Sequence, residues 1–310
     1  MERSSTRRKP CSPNFGNTAG LTLIEMLVAM TVTLAISAGA LSIALAGRNA
    51  YVVDRNRTAI NQNLRNGIDF VGLDVRQAGE RLPTDFPAVE LIDGGSGPDT
   101  LIIRRSIIDT ILPVCKTING GSSTDAIFVA KDSGSIPAGC APVPDDDGDG
   151  WPENLEDWRD YRVGTGGEAF AFVFNPATGD GEFFTYDSED NSRFHLHRSN
   201  SGAWQNDYPV ADQPRIYLLE QRAFQVSGEL LQVVINGATA DPVNLVTNIV
   251  DFQVSIDLED GSTVTTLGPT DDWTEIVSVE VALDGGRAFS GRTMNRSLTT
   301  RFFPRNVLSR

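Results

Sequence analysis

The sequence is poor in the side chains that most enzyme sites use. Its 310 residues include two histidines and three cysteines. The glycine stretches that begin at Gly94 and Gly120 lack the pattern of a nucleophile elbow, and no phosphate-binding glycine loop precedes a helix. Basic residues are also scarce, since 41 acidic side chains face 26 basic ones and the formal charge is −15, which argues against binding nucleic acid through its phosphates. We predict a protein that is neither an enzyme nor a nucleic-acid binder.

The two histidines, His195 and His197, both lie in the short segment "FHLHRS". Because side chains alternate along a strand, they would share one face of it. Such a pair suggests a metal site, but the sequence offers no third ligand nearby. A polar strand face is therefore the preferred interpretation.

Proline is absent between Leu21 and Pro83, and this stretch begins with an apolar run, Leu21 to Ala46, whose only charge is Glu25. A run of about 20 apolar residues is long enough to span a bilayer as a helix. The residues before it are basic, which places the chain start in the cytoplasm and the bulk of the chain outside. The sequence therefore predicts a membrane anchor near the N-terminus.

The helical pattern continues beyond the apolar run. Apolar residues from Val53 to Val75 recur mostly at spacings of three, four or seven, which is typical of a helix with one buried stripe. We predict one helix from Leu21 to about Ala78, whose second part lies against a globular head. Glycines are points where such a helix can bend. The predicted helix contains Gly39, Gly47, Gly67 and Gly72.

Glu25 stands within "AGLTLIEMLVAM", and a carboxylate in hydrocarbon is costly unless it has a partner. The order of basic leader, Gly20, apolar residues and Glu25 resembles the processing site of type IV prepilins and of type II secretion pseudopilins, although those families more often have Phe where Leu21 stands. The resemblance implies that a prepilin peptidase cuts after Gly20 and methylates Leu21. It also implies that Glu25 pairs with the α-amine of a neighbouring subunit in a filament.

Later segments resemble the PilW group of type IV minor pilins, namely "NQNLRNGIDFVGLDVRQAGERLP", "RIYLLEQRAFQVSGELLQ", "NLVTNIVDFQVSIDLEDG", "WTEIVSVEVALDGG" and "RSLTTRFFPRNVLSR". This resemblance implies a structural subunit that primes or caps pilus assembly, with the head in the periplasm and later on the cell surface. Its implied partners are the prepilin peptidase, other major and minor pilins, and an inner-membrane assembly platform. Two alternatives stay open: a J-type pseudopilin, and a membrane-anchored calcium-binding surface protein or adhesin that never polymerises.

The predicted organisation is a leader at 1–20, a long helix at 21–80 whose residues 21–46 form the transmembrane part, and a head at 81–310 with an insertion at about 91–214. Short β-branched or alternating segments separated by Gly, Asp, Asn and Pro predict strands in the head. These segments begin at Thr100, Ala126, Ala169, Phe194, Arg215, Leu230, Ile249 and Ile276. We predict an α+β fold in which an antiparallel sheet packs on the second part of the helix.

The segment "DDDGDGWPENLE" matches the twelve-residue calcium loop at all five constrained positions. Alternate carboxylates and a glycine for the bend supply a tight shell of oxygen ligands. The residues before the loop cannot form an entering helix, whereas "NLEDWRDY" is suited to an exiting one. We predict a structural calcium site whose ligands are Asp145, Asp147, Asp149, Trp151 through its carbonyl, Glu153 and Glu156; a solvated acidic loop is the alternative.

Cysteine usage fits an exported head. Cys11 lies in the leader, and its removal would leave Cys115 and Cys140, an even pair in an oxidising compartment. We predict a disulfide between them, with two unpaired buried thiols as the alternative. The bond would anchor the chain just before the acidic loop.

Overall fold

The computed structural model describes residues 20, 22–199, 202–289 and 292–307, so the leader residues 1–19, with Cys11, and Leu21 lie outside the described residues. The chain divides into two compact units, Met1–Arg55 and Asn56–Arg310. Helix α1, Leu23–Gln77, begins in the first unit. Its large apolar side chains there are exposed, among them Leu27, Ile36 and Leu41. Among the described residues it is the helix that is long and apolar enough to cross a membrane, as the sequence predicts.

The second unit combines the end of α1 with a short helix and antiparallel strands, and this α+β class confirms the predicted fold. In chain order the further elements are β1 (Val89–Ile92), β2 (Thr100–Ser106), β3 (Leu112–Pro113), β4 (Ala126–Phe128), α2 (Glu153–Gly164), β5 (Ala169–Phe174), β6 (Gly181–Asp190), β7 (His195–Arg198), β8 (Arg215–Tyr217), β9 (Leu219–Ser227), β10 (Leu230–Ile235), β11 (Val243–Thr247), β12 (Ile249–Leu258), β13 (Thr263–Val264), β14 (Ile276–Phe289) and β15 (Arg292–Phe302). Two 3₁₀ turns, Val210–Asp212 and Trp273–Glu275, complete the described elements.

The described strands form three sheets. Their strand orders are β1-β2-β9-β10-β11, β13-β12-β14-β15 and β3-β8-β5-β6-β7-β4. Within the second unit, α1 buries one stripe against the first two sheets, and this stripe consists of Ile60, Leu64, Ile68, Val71 and Val75. Strand β12 supplies a matching buried face because its apolar residues alternate with polar ones. These side chains make the first core of the head.

The six-stranded sheet has a second core of its own. The chain enters it after β2 and leaves it before β9, and the last residue of β2, Ser106, is the register partner of Leu219 at the start of β9. Helix α2 packs on this sheet through Leu155 and Trp158. A disulfide joins Cys115 to Cys140 with their Cα atoms 5.6 Å apart, which confirms the predicted pairing.

The predicted strands are present, but the pattern of the sequence did not show how they are shared among sheets. The segment "RIYLLEQRAFQV" is the clearest case, because it breaks at Leu218 into β8 of the six-stranded sheet and β9 of the five-stranded sheet. Strand β6 was not predicted. Its polar and acidic residues lack a clear alternation, although it is one of the longer strands.

Candidate functional site

The start of α1 holds Glu25 in a local hydrogen-bond arrangement. Thr22 immediately precedes the helix, and its backbone N–H donates to Oε2 of Glu25 at 2.9 Å. In return the N–H of Glu25 donates to Oγ1 of Thr22 at 3.3 Å, and the Thr22 hydroxyl donates to the same Oε2 at 2.9 Å. This reciprocal pairing is a capping box, which satisfies backbone donors that the first turn of a helix leaves free.

Glu25 therefore has an intramolecular role that the sequence analysis missed. The available signal was the Thr-x-x-Glu spacing of Thr22 and Glu25, a known signature of a helix start. The negative charge also lies at the positive end of the helix dipole. A carboxylate has about four acceptor positions, so the cap leaves room for a further donor. Gly20 lies two residues before Thr22, and Leu21, the third predicted processing residue, is outside the described residues.

The acidic loop brings three of its predicted ligands together. One carboxylate oxygen from each of Asp145, Asp147 and Asp149 lies within 4.8 Å of the others, and all three residues are exposed. Backbone N–H groups fold the loop around the first of them, because Gly148 and Gly150 donate to the two oxygens of Asp145 at 2.7 and 2.8 Å. The loop therefore presents oxygen atoms to one common point.

Glycine at the sixth position of the loop has a conformational reason. Gly150 has a φ of +94°, which L residues with a side chain rarely adopt. Its carbonyl accepts a hydrogen bond at 2.7 Å from Nδ2 of Asn191, at the turn that follows β6. Beyond it, the N–H of Trp151 donates to Asp149 at 2.8 Å. The bend is thus fixed both within the loop and from the neighbouring sheet.

The two predicted glutamate ligands lie outside the cluster of three aspartates. Oε1 of Glu153 accepts from the N–H of Asp146 at 3.2 Å. Glu156 stands in the first turn of α2, where partial burial and then the negative charges of Asp149 and Asp147 raise the pKa of its carboxyl. Glu156 is therefore close enough to feel the cluster. The described structure gives no hydrogen-bond partner for the Trp151 carbonyl. The ring of Trp151 packs under Arg159, whose Cζ lies 4.7 Å from the ring centroid.

The loop is fixed to the six-stranded sheet on both sides. Helix α2 exits from it as predicted, and its Trp158 is fully buried and donates from Nε1 to the Thr110 carbonyl at 3.0 Å. Arg162 donates to both carboxylate oxygens of Glu189 at 2.9 and 2.8 Å. On the entering side, where residues 131–152 contain no helix, the Cys140 end of the disulfide is buried. A change within the loop can therefore act on the stability of this part of the head.

The chemistry of the loop is that of a hard cation site. Carboxylate and carbonyl oxygens in a tight turn suit calcium, whereas nitrogen and sulfur ligands suit transition metals. Within the described residues, the three aspartates form the group of three or more potential metal ligands that converges on one point. Comparisons with protein-family models, curated proteins and solved structures found no match.

Proposed function

We propose that this protein is a minor pilin, a structural subunit that primes or caps assembly of a type IV pilus. It is made with a basic leader, is cut after Gly20 by a prepilin peptidase and is held by α1 in the inner membrane with its head in the periplasm. It then joins other pilins through the first part of α1 and reaches the cell surface in the pilus. Its partners before assembly are the membrane and the assembly platform.

The observation that carries this proposal is the order of features along α1. Gly20 and Glu25 stand at the start of an exposed, apolar helix, and the same helix ends inside the core of a β-rich head. A membrane anchor alone does not need a continuation into the head, and the helix cap uses only part of the hydrogen-bonding capacity of Glu25. A subunit that packs its helix against identical or related helices has a use for both, because the carboxylate meets a charge on a neighbour only when the subunits are in register.

The N-terminal residue of the natural protein tests the processing step. We expect the intact mass of the protein from its native membrane to correspond to a chain that begins with methylated Leu21. The same protein from cells without the peptidase should retain Met1 to Gly20. A chain that keeps its leader when the peptidase is present, or is cut elsewhere, would contradict the proposal and favour the non-polymerising surface protein.

Variants of the capping box separate the two roles of Glu25. Glu25→Gln keeps a side chain that can cap the helix but removes the charge, whereas Thr22→Ala removes the hydroxyl partner and keeps the charge. If the charge recruits the next subunit, Glu25→Gln and Glu25→Ala will both be missing from sheared filaments, and Thr22→Ala will be present. If capping is the only role, Glu25→Gln will assemble normally and Glu25→Ala will fail together with Thr22→Ala.

We further propose that the acidic loop binds one calcium ion. The convergence of Asp145, Asp147 and Asp149 supports it, as does the placement of Glu156 in the first turn of the exiting helix. The ion would join the loop to α2 and thereby fix part of the six-stranded sheet. Its role is structural, since α2 is already attached to that sheet by Trp158 and Arg162.

Thermal unfolding of the full chain in detergent tests the calcium site. A ligand at about 100 times its Kd stabilises the folded state by about 2.7 kcal/mol, so calcium should raise the Tm of the wild type. Asp147→Ala and Glu156→Gln should remove that increase, because each removes a carboxylate ligand. Asp241→Asn, at an exposed acidic residue elsewhere, should keep it. Equal Tm values with and without calcium in the wild type would reduce the loop to an acidic surface.

A further inference from the structure

Strand β7 places two imidazoles in an arrangement that the acidic loop does not involve. His195 and His197 lie on one face of the strand, and their Nε2 atoms are 2.9 Å apart, so that one Nε2–H donates a hydrogen bond to the other Nε2. Their ring centroids are 4.5 Å apart with the rings inclined at 74°, so the nitrogens converge while the rings splay. They are the two histidines of the whole sequence. A polar strand face, which the sequence favours, does not by itself require this convergence.

The separation of the nitrogens matches a chelate. A metal ion bound to two imidazole nitrogens at about 2.0–2.1 Å and at a right angle holds those nitrogens about 2.9 Å apart. Right angles between neighbouring ligands are typical of the square-planar or octahedral geometry of copper and nickel. The distance between the nitrogens of His195 and His197 is 2.9 Å. Little movement of the strand is therefore needed to bind an ion.

The surroundings orient both rings. Nδ1 of His197 lies 3.7 Å from the carboxylate of Asp125, which is beyond hydrogen-bond distance but close enough for the negative charge to act on the ring. On the other side, Asp190 of β6 is the register partner of His195, and its carboxylate is fixed by the N–H groups of Ser192 and Arg193. The pair therefore has a carboxylate near each ring, and the positive charge of Arg193 also acts on His195.

Burial and access differ between the two rings. His195 is 4% exposed and packs beside Phe128, with ring centroids 5.2 Å apart. The side chain of His197 is 32% exposed, which leaves a path from solvent. Nδ1 of His195 has no hydrogen-bond partner in the described part of the chain, so Nε2 is the ring atom that makes its polar contact. His195 is thus packed in the core, whereas His197 is accessible to an ion from solvent.

We propose that His195 and His197 chelate one divalent copper or nickel ion. Water completes the coordination, since within the described residues no group of three ligands forms around the pair. The site is chemically distinct from the oxygen-lined acidic loop, because imidazole nitrogen prefers these ions to calcium. It does not depend on the proposed role in a pilus.

Copper(II) is the probe, because it binds nitrogen sites most tightly among these ions. The full-length protein in detergent, purified without a histidine tag, is titrated with Cu²⁺ and its electron paramagnetic resonance spectrum is recorded. We expect one ion per chain, with splitting from two nitrogens. His197→Gln should weaken the affinity at least tenfold and leave one coupled nitrogen, and this variant is preferred because His197 is the more exposed ring.

The control is Asp147→Asn, which alters the acidic loop and should leave the copper affinity unchanged. His195→Gln provides a second test, read together with a circular dichroism spectrum because its ring is buried. The proposal is overturned if His197→Gln binds copper within twofold of the wild type, if the spectrum shows oxygen ligands alone, or if Asp147→Asn weakens binding as much as His197→Gln.

Discussion

At the scale of single residues, Gly72 lets an aromatic ring lie directly against α1. The ring of Phe302, at the end of β15, occupies the space where a Cβ atom of residue 72 would stand. Five residues earlier, a Cβ on Gly67 would lie 2.8 Å from a methyl carbon of Leu283 in β14. Both glycines permit close packing of helix and sheet, whereas the sequence suggested only that they are points of bending.

We expect Gly72→Ala to destabilise the head although alanine is the better helix former. Overpacking costs about 1–3 kcal/mol, and the gain in helix propensity of about 1 kcal/mol offsets only part of it. The Tm of the full chain in detergent should therefore fall. Gly47→Ala is the matched control, because no atom lies within 4 Å of that Cβ position, and its Tm should be unchanged or higher. Equal Tm values for Gly72→Ala and wild type would contradict the contact.

Charged residues near the end of α1 form a second feature that depends on individual side chains. Glu220 accepts hydrogen bonds from Nε of Arg105 at 2.6 Å and from Nη2 of Arg222 at 2.7 Å. Arg222 also pairs at 3.2 Å with Asp74, a buried residue of α1. Burial alone would raise the pKa of Glu220, but the hydrogen bonds and charges of Arg105 and Arg222 outweigh it and lower the pKa below 4.5.

Glu220 should make the stability of the head depend on pH. Because its pKa is lowered in the folded state, its stabilisation is fully present above the unfolded value of 4.5 and is lost as the pH falls through the lower folded value. Wild type should melt above Glu220→Gln at pH 7, and the gap in Tm should narrow below about pH 4.5. The exposed Glu259→Gln serves as the control. A gap that widens on acidification would give the opposite sign and refute this assignment.

The acidic loop shows how far residues can be assigned from sequence. The alternation of Asp145, Asp147 and Asp149 predicts three carboxylates on one side of a turn, and the structure brings them together. The sequence does not show that Glu153 is engaged by the backbone N–H of Asp146. The spacing of Glu25 to Thr22 predicts its capping role, whereas the family resemblance implies only a pairing with a neighbouring subunit. The convergence of the two histidine rings required side-chain geometry.

At the scale of elements, α2 and the disulfide hold the outer part of the six-stranded sheet. Strand β4 pairs with β7 and lies at the edge of this sheet, next to the disulfide. The N–H of Cys115 donates to the carbonyl of Phe128 in β4 at 2.7 Å. The chain just after β4 is also held at this end of the disulfide, because the N–H of Lys131 donates to the Cys140 carbonyl at 2.8 Å. The bond therefore closes the segment that carries the edge strand.

Removal of the disulfide should weaken this segment without preventing the fold. The closed loop spans a separation of 25 residues, and the chain-entropy relation gives a stabilisation of about 3.5 kcal/mol for such a loop. The double variant Cys115→Ser/Cys140→Ser should therefore melt at a lower temperature than wild type. Cys11→Ser, which changes the cysteine of the predicted leader, should not. Identical Tm values for the double variant and wild type would show that the bond adds no stability.

Whether a strand can be predicted from the sequence depends on whether it is buried in a sheet or lies at a sheet edge. Strands such as β5 and β12 bury apolar side chains and therefore carry apolar or alternating patterns. Strands β11 and β13 lie at sheet edges, are short and carry polar residues, so their sequences resemble loops. The division of "RIYLLEQRAFQV" between two sheets depends on where the chain turns at Leu218, which is set by the packing of both cores.

At the scale of the whole molecule, the head consists of a base and an inserted sheet. The base contains the end of α1 with the five-stranded and four-stranded sheets, which share one core. The insertion, residues 107–218, leaves the base at Ser106 and returns at Leu219, and these two residues are register partners in β2 and β9. A small third cluster around Phe86, Tyr217 and Leu219 lies where the two parts meet.

This topology predicts that the insertion can be removed. If residues 107–218 are replaced by Asn-Gly, β2 and β9 become the two strands of a hairpin with a two-residue turn, which their antiparallel register already permits. The shortened chain should unfold cooperatively in detergent, at a lower Tm because Phe86 and Leu219 lose partners. An added Phe86→Ser substitution should improve its solubility by removing the newly exposed ring.

The shortened chain also separates the roles of the two parts. If the proposed cleavage after Gly20 depends on the N-terminal stretch alone, the peptidase should process the shortened chain as it processes the full protein. The proposed calcium and copper binding should both disappear with the insertion. Non-cooperative unfolding in both shortened versions would show that the base needs the insertion to fold. Cooperative unfolding would show that the part of the head that carries the two proposed ion sites is removable, and that the base folds with the end of the helix and its core.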